Sequence, residues 1–475
     1  MKKTILVTGA SGFVGNSLIP NLLEKGYPVR VLVRTPQNLE GRTWLSAVQV
    51  AKGDLLDPQS LPTALKDVST AYYLIHNMSS GKQYETREII SANNFSTAAS
   101  QAGLEHIIYL GGLAHKAEAI GSHLRSRLET GDTLREGTVP VTEFRASLII
   151  GSGSISFEMI RFLTERLPLL VGSTGLRNLA QPIAIQDVLE YLLAALEMPT
   201  VRSLTYEIGG GEVLSYAGTM LTYAQERGLK RACILLPWVP PGIMAFLVGK
   251  LAPIPARIAG PLIGGMHGSS IVRDGAAKQA FPGIKPLGYR SAVRLALEML
   301  HPEQLDPVWR TRQSDGAIMQ EGFLIEKAQV RLEAPIATVY QIVTNLGGQR
   351  GWLTMNWLWK LRGFLDKILG GPGMRGRTSA DSLSEGDILD FYQVECLIPS
   401  QLVRLRSELK APGQGWMEWH IRDVQGSTIL TQAAFFAPCG MPGFLYWSLF
   451  LPFHRLVLRR LIQAINRRVL ELKIP

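Results

Sequence analysis

The stretch "ILVTGASGFVG", residues 5–15, decides the fold of the first part of this chain. A short apolar run, Thr4–Thr8, stops in a glycine-rich turn, and an amphipathic period, Gly15–Lys25, follows at once. Thr8, Gly9, Ala10, Ser11, Gly12, Phe13, Val14 and Gly15 thus sit where a strand turns into a helix, with glycines three residues apart. Gly9 permits the tight turn, Gly12 lets backbone amides approach a pyrophosphate, and Gly15 lets the helix pack closely on the sheet. The helix N-terminus offers unsatisfied N–H donors and a partial positive charge to phosphates. Glycine spacing alone is weak evidence, but here the strand before it and the helix after it supply the context the motif needs.

Outward from this turn, β-branched runs alternate with longer amphipathic segments as far as about residue 150. The expected strands are Thr4–Thr8, Val29–Arg34, Val48–Lys52, Thr70–His76, His106–Leu110 and Val141–Arg145. The helical periods between them are Gly15–Lys25, Pro58–Lys66, Glu85–Ala102 and His123–Glu136. Strands separated by helices require crossovers, hence a parallel sheet covered on both faces: a Rossmann-type, doubly wound α/β domain. At the end of the second strand an acidic residue would grip a ribose 2′-hydroxyl, whereas a cation suits a 2′-phosphate. The sequence has Arg34 there, which favours NADP over NAD; the plainer reading is an ordinary solvated charge at a strand end.

With 475 residues, 46% of them hydrophobic, the chain can form two or three domains of roughly 100–200 residues each. Met1-Lys2-Lys3 runs straight into a strand rather than into a signal-peptide core, so the expected address is the cytosol. Cys233, Cys396 and Cys439 lie far apart, with neither disulfide nor zinc spacing. The net charge of +10 is localised in part: residues 311–475 carry 19 Lys and Arg against 14 Asp and Glu, and their surplus lies within 455–475, where six cations face Glu471 alone. No basic stripe interleaved with base-reading residues appears, so a nucleic-acid partner is not expected.

Beyond Gly151 another helix is followed by "QPIAIQDVLEYLLAAL" (181–196), a strand-like run leading into a periodic helix. Residues 237–266 are apolar but interrupted by six prolines, Lys250 and Arg257, which suits short helices beside a cleft or at a surface better than a membrane span. Residues 301–322 are polar and aperiodic, the expected linker between a domain over 1–300 and another over 323–475. In the latter, a strand and a short helix (336–346) precede strand runs near 387–397, 401–409, 415–423 and 427–436 and a helix over about 453–472, an α+β order.

The glycine spacing, "GDLLDP" (53–58) and "FRASLIIGSGS" (144–154) resemble the atypical or extended, NmrA-like short-chain dehydrogenases/reductases over roughly residues 1–300. The resemblance implies that Asp54 and Leu55 contact the adenine and that Leu74, Ile75 and His76 pass beside the nicotinamide ribose. An Asx turn is the structural alternative for Asp54. Active members of that superfamily use a Ser after the fifth strand and a Tyr-x-x-x-Lys pair on the next helix. Here Gly111 and Gly112 stand at the Ser position, and His123 and Arg127 at the other two. His123 is the candidate proton donor and Arg127, one helical turn on, the candidate for orienting a ribose or carbonyl. A guanidinium does not deprotonate, so Arg127 cannot repeat the Lys role. Otherwise His123 only packs beside a cofactor or on the helix surface. Tyr84, His76 and His115 are weaker donors.

"VRLEAPIATVYQIV" (330–343), "SEGDILDFYQVECLIPSQLVRLRSELK" (384–410), "MEWHI" (417–421) and "GFLYWSLFLPFHRLVLRRLIQAI" (443–465) resemble the helix-grip, START-like (SRPBCC) superfamily, in the uncharacterised form fused behind bacterial atypical dehydrogenases. That resemblance implies an apolar cavity between sheet and terminal helix. Trp352, Trp357, Trp359, Trp416, Trp419 and Trp447, six of nine tryptophans, would line it or simply build a core. Residues 424–454 carry no formal charge and lead into a helix with apolar positions 457, 458, 461, 462, 465 and 469, a stripe suited to the core. The alternative is that aromatics 444–453 with Arg455, Arg459 and Arg460 touch an anionic membrane surface. The functional expectation is an NADP-dependent oxidoreductase for an apolar carbonyl or quinone-like substrate; its rival is a redox-inactive NADP-dependent sensor or lipid-binding scaffold.

Overall fold

The computed structural model describes residues 2–75, 83–115, 121–198, 201–237, 242–243, 246, 260, 263–266, 268–305, 309, 316–379, 382–424 and 426–472. The chain divides into two compact units, one within Met1–Met299 and the other taking in Leu300–Leu305 and the chain from Trp309 onward. Most of the apolar segment 237–266, expected as short helices, lies outside the described residues.

In the first unit, β1 (Thr4–Thr8), β2 (Val29–Val33), β3 (Gln49–Lys52), β4 (Val68–Tyr73), β5 (His106–Gly112), β6 (Val141–Ala146) and β7 (Leu204–Ile208) form one sheet in the order β7-β6-β5-β4-β1-β2-β3. Every pairing in it is parallel. The chain winds outward from β1 through β2 and β3, then returns to β4 on the other side of β1, so the winding reverses between β1 and β4. Alternate side chains of β1 serve opposite faces. Ile5 and Val7 enter a core with Val31, Phe144 and Val188, while Leu6 enters another with Leu32, Tyr73 and Phe95. β7 was not among the expected strands: "LTYEI" is a short run whose strand character comes from its pairing with β6, Leu204 opposite Thr142 through Ile208 opposite Ala146.

The second unit is a seven-stranded antiparallel sheet of β8 (Gly316–Gln320), β9 (Phe323–Leu332), β10 (Ile388–Leu389), β11 (Tyr392–Ile398), β12 (Leu402–Ser407), β13 (Gly413–Val424) and β14 (Ser427–Pro438), ordered β8-β9-β14-β13-β12-β11-β10. A 32-residue terminal helix, Gly440–Glu471, packs on β9 and β14. Leu458, Leu461, Ile462, Ile465 and Val469 are buried with Trp419 and Leu430 of the sheet. The helix begins well before the expected residue 453 and continues through Pro452, which sits on an exposed side of the helix interior. Five of the six tryptophans are buried: Trp352 stacks on Trp359 at 4.3 Å and Trp447 on Phe436 at 5.5 Å, so they build core, whereas Trp357 stands in solvent.

The segment 301–322 departs from the linker reading. Leu305 and the fully buried Trp309 join Phe323, Trp416 and Phe435 in a second core cluster, and β8 pairs along β9. The described residues of the segment thus belong to the second unit through this packing and through the sheet edge that β8 joins.

A buried ionic cluster crosses this sheet. The Glu418 carboxylate takes a hydrogen bond from Arg404 Nε at 2.7 Å and meets His420 beside it. Burial alone would raise its pKa, but the hydrogen bond and charge of His420 and the charge of Arg404 outweigh that and hold it at about 2. A carboxylate held below its unfolded value adds stability above about pH 4.5 that is lost as pH falls toward 2. Glu418→Gln should therefore cost the second unit about 3–5 kcal/mol at neutral pH, since it leaves Arg404 buried without its anion. It should also flatten the wild-type loss of stability between those pH values, both read from thermal unfolding followed by circular dichroism over a pH series.

Candidate functional site

The site starts from a clamp at the reversal point. The buried Thr8 hydroxyl donates to the Tyr72 carbonyl at 3.0 Å and accepts the Leu74 N–H at 3.1 Å, tying the end of β1 to the end of β4. The next residue, Gly9, has φ +71°, and a Cβ on it would lie 2.7 Å from the Leu74 carbonyl oxygen. The Gly12 N–H closes the turn on the Gly9 carbonyl at 2.9 Å, and the helix Phe13–Glu24 begins with no side-chain cap from Gly12. Its first-turn amides are the unsatisfied donors that suit an anion. A Cβ on Gly15 would lie 2.4 Å from the Gly9 carbonyl oxygen, so this contact sets how closely the helix meets the strand.

These elements open onto a cavity of about 660 Å³ along the carboxyl ends of β1 to β6, where open α/β sheets bind ligands. Gly9, Ser11, Gly12, Phe13, Val14 and Gly15 line it. Thr8 and Ala10, expected with them, do not: both are fully buried, Thr8 as the clamp and Ala10 in the core beneath the turn. Arg34 lines the cavity from the end of β2, exposed and with no ion-pair partner among the described residues. Asp54 lines it too; its Oδ1 accepts the Leu56 N–H at 3.1 Å, so the Asx turn exists and occupies one carboxylate oxygen. Leu55, Leu74 and Ile75 complete this part of the wall, whereas His76 lies outside the described residues.

Two features carried no readable signal in the sequence. Arg42, buried beside the glycine turn, donates from Nη2 to the Ser11 carbonyl at 3.2 Å and lies 5.7 Å from the Trp44 ring, which in turn donates from Nε1 to Asn16. The far wall is apolar, built from Leu124, Leu148, Met159, Ile160, Met220 and Met266, which come from widely separated segments. Tyr216 also lines the cavity, its phenol pushed up to about 12 by burial, so it offers a hydrogen bond rather than a titrating proton.

His123 and Arg127 both line the cavity from the helix Ser122–Arg135. That helix is tied to the sheet: Arg135 pairs with the fully buried Glu143 of β6, and the Tyr109 hydroxyl of β5 donates to the Arg127 carbonyl at 2.9 Å. The Arg127 guanidinium donates to the Leu110 carbonyl and lies 5.1 Å from the Tyr109 ring centre, which fixes a cation on the wall. Gly111 and Gly112 close β5, and a Cβ on Gly112 would come 2.8 Å from Leu124 Cδ2. Neither weaker donor candidate that can be described reaches the cavity. Tyr84 donates to Ser122 Oγ at 2.8 Å, and His115 sits between the Ile271 carbonyl, at 3.2 Å, and Glu207.

Residues 1–149 match the model of the NmrA-like family, and residues 321–461 match a family described as a protein of unknown function, DUF2867. The chain is 24% identical over 212 residues to the photosystem II assembly factor Ycf39 of Trieres chinensis, covering 44% of this chain and 64% of that protein. It is 30% identical over 115 residues to a 3-beta-hydroxysteroid dehydrogenase of Mycolicibacterium neoaurum, covering 22% of this chain and 31% of that one. The chain thus spans less than two thirds of the length of either curated relative. Among solved structures it resembles the triphenylmethane reductase of Citrobacter sp., with 23% identity, TM-score 0.51, and 62% and 100% of the two chains covered. It also resembles an NADPH-dependent quinone oxidoreductase of Escherichia coli, with 18% identity, TM-score 0.50, and 62% and 99% covered. At these identities the two structures establish a shared fold.

Gly15→Ala tests the turn. Its methyl would press on the Gly9 carbonyl, so the variant should lose about 1–3 kcal/mol of stability, the usual range for overpacking. It should also bind a dinucleotide at least about tenfold more weakly, because the first-turn amides move with the helix. Thermal unfolding and a fluorescence titration read the two effects.

Proposed function

We propose that the first unit is an NADP(H)-dependent oxidoreductase of the atypical, NmrA-like kind, acting on an apolar carbonyl or quinone-like substrate in the cytosol. The observation that carries this is Arg34: an exposed cation, without an anionic partner among the described residues, on the cavity wall where a 2′-phosphate would lie. The glycine turn fits the rest of the dinucleotide, since side chains are excluded where the pyrophosphate must approach the backbone. Asp54, through the carboxylate oxygen its turn leaves free, and Leu55 would hold the adenine, and Leu74 and Ile75 would line the nicotinamide ribose. The triphenylmethane reductase and the quinone oxidoreductase of the same fold form complexes with NADP(H) and NADPH, which supports a nicotinamide cofactor here.

A reduced nicotinamide held there would supply a hydride to the substrate carbon. His123 gives the matching proton to the substrate oxygen, and the fixed Arg127 cation stabilises negative charge as it develops on that oxygen without itself titrating. The methionines and leucines of the far wall hold an apolar substrate and exclude water. A second reading keeps the NADP site but drops the chemistry, making the chain a redox-inactive sensor or lipid-binding scaffold. Gly111 and Gly112 favour it, because no hydroxyl stands at the Ser position. For the second unit, the long terminal helix against an antiparallel sheet supports a helix-grip, START-like domain that receives an apolar small molecule.

The decisive assay follows reduced-nicotinamide absorbance with a panel of quinones and ketones. Turnover with at least one of them is expected; tight NADPH binding with no oxidation by any would favour the sensor. His123→Ala should lower turnover about a hundredfold or more, and unchanged turnover would remove His123 from the chemistry. Arg34→Glu should weaken NADPH roughly ten- to a hundredfold, the size of a lost charge-assisted bond, while leaving NADH within a few fold. Equal weakening of the two would refute the cofactor assignment.

A further inference from the structure

In the second unit, the helix Asn356–Ile368 is amphipathic the wrong way round for a soluble surface. Its inner side buries Trp359, Gly363 and Asp366. Its outer side exposes Trp357, Leu361, Phe364, Leu365 and Ile368, at spacings of four, three, one and three residues, which form one stripe along the helix. Trp357 and Ile368 keep 64% and 65% of their surface in solvent, and Leu369 continues the stripe past the helix end. The first half of the terminal helix repeats this. Leu445, Leu449, Phe453 and Leu456 fall on one face and are exposed, Leu449 at 69%. The two helices are neighbours, because Arg362 Nη2 donates to the Tyr446 hydroxyl at 2.7 Å and its guanidinium lies 5.6 Å from that ring's centre. Both stripes thus belong to this unit, on helices joined through the Arg362–Tyr446 pair. Scattered exposed leucines are unremarkable, but an apolar stripe running the length of an exposed helix face marks a binding surface.

The charge around the stripes is of one sign. Lys360 and Lys367 border the first stripe, and in the terminal helix the exposed face passes directly from Leu456 to Arg459, Arg460 and Arg467. None of these five cations has an ion-pair partner among the described residues; Arg455, by contrast, is engaged with Glu326 at 3.1 Å. From residue 424 to residue 470 the sequence has no acidic side chain at all. An isologous pairing of two copies would bring these cations together, whereas an anionic surface complements them.

We infer that this face docks on the surface of an anionic lipid bilayer. The two apolar stripes enter the boundary between headgroups and acyl chains, and the lysines and arginines sit at the headgroup phosphates, as an in-plane amphipathic helix does. The attachment is peripheral: no helix among the described residues is long and apolar enough to cross a membrane. It does not depend on what the first unit binds.

The test is co-sedimentation of the full chain with vesicles of phosphatidylcholine alone or with about a third phosphatidylglycerol, a fraction chosen to give a strongly anionic surface. Binding to the anionic vesicles is expected, at least about tenfold stronger than to neutral ones and weakened by raised salt. The pair Trp357→Ser with Phe364→Ser, on solvent-exposed positions, and the pair Arg459→Glu with Arg460→Glu should each reduce it about tenfold or more, with thermal unfolding unchanged. Equal binding to both vesicle types, or binding to neither, overturns the proposal. So does a wild-type chain that stays off vesicles and self-associates, but becomes monomeric in the Trp357→Ser with Phe364→Ser variant, because the face would then be an interface between copies.

Discussion

The contact between the Gly9 carbonyl and the Cα of Gly15 governs the first unit. Thr8 clamps β1 to β4 just before the turn, and Gly9 carries the chain past the Leu74 carbonyl with no room for a side chain. The helix can then lie close enough to the strand end for its first-turn amides to face the cavity. Everything else about the site inherits its position from this point. The second, third and fourth strands deliver Arg34, Asp54 and Leu74 at their carboxyl ends, and the register of a parallel sheet holds those ends level. A shift of the helix by even one atomic diameter would separate the donors from the walls that define what they bind.

The parts of this arrangement that were legible beforehand are those in which local sequence and tertiary role coincide. Thr4–Thr8 is β-branched because it is buried on both faces, and the glycines mark places where backbone touches backbone. Ser11, Gly12 and Arg34 could be placed for the same reason. What escaped depends on partners remote in the chain. β7 exists through its pairing with β6, and Trp309 belongs to a core built by strands that begin after it. Arg42 finds the glycine turn through a loop with no motif, and the apolar wall is assembled from residues spread between positions 124 and 266. The exclusion of Thr8 and Ala10 from the cavity has a related cause: a motif names residues in a row, but a turn faces a ligand with only some of them.

The two units handle buried charge in similar ways. Glu143 in the first is held by Arg135 and Arg145, and Glu418 in the second by Arg404 and His420; in each case the acid lies in a sheet strand and is fully enclosed. Such clusters contribute little net stability against an apolar core, yet they demand one register, because a slip would strand a charge. In the first unit this registers the helix that carries His123 and Arg127, and a Cβ on Gly131 would lie 2.8 Å from the Glu143 carboxylate, so helix and strand are spaced by the acid itself.

The glycine pair at the end of β5 constrains how this site can change. A side chain at Gly112 meets Leu124, and one at Gly111 comes 3.0 Å from Glu143 Oε1, the oxygen already engaged by Arg145. A side chain at Gly112 would thus push on the tip of Leu124, and one at Gly111 would press on the Glu143 carboxylate that Arg145 holds. A serine hydroxyl at either position would therefore meet packing or charge already in place, not open cavity. The end of β5 is therefore a bare backbone wall whose spacing is set by Leu124 and the Glu143 cluster, while the cation at Arg127 is held against it.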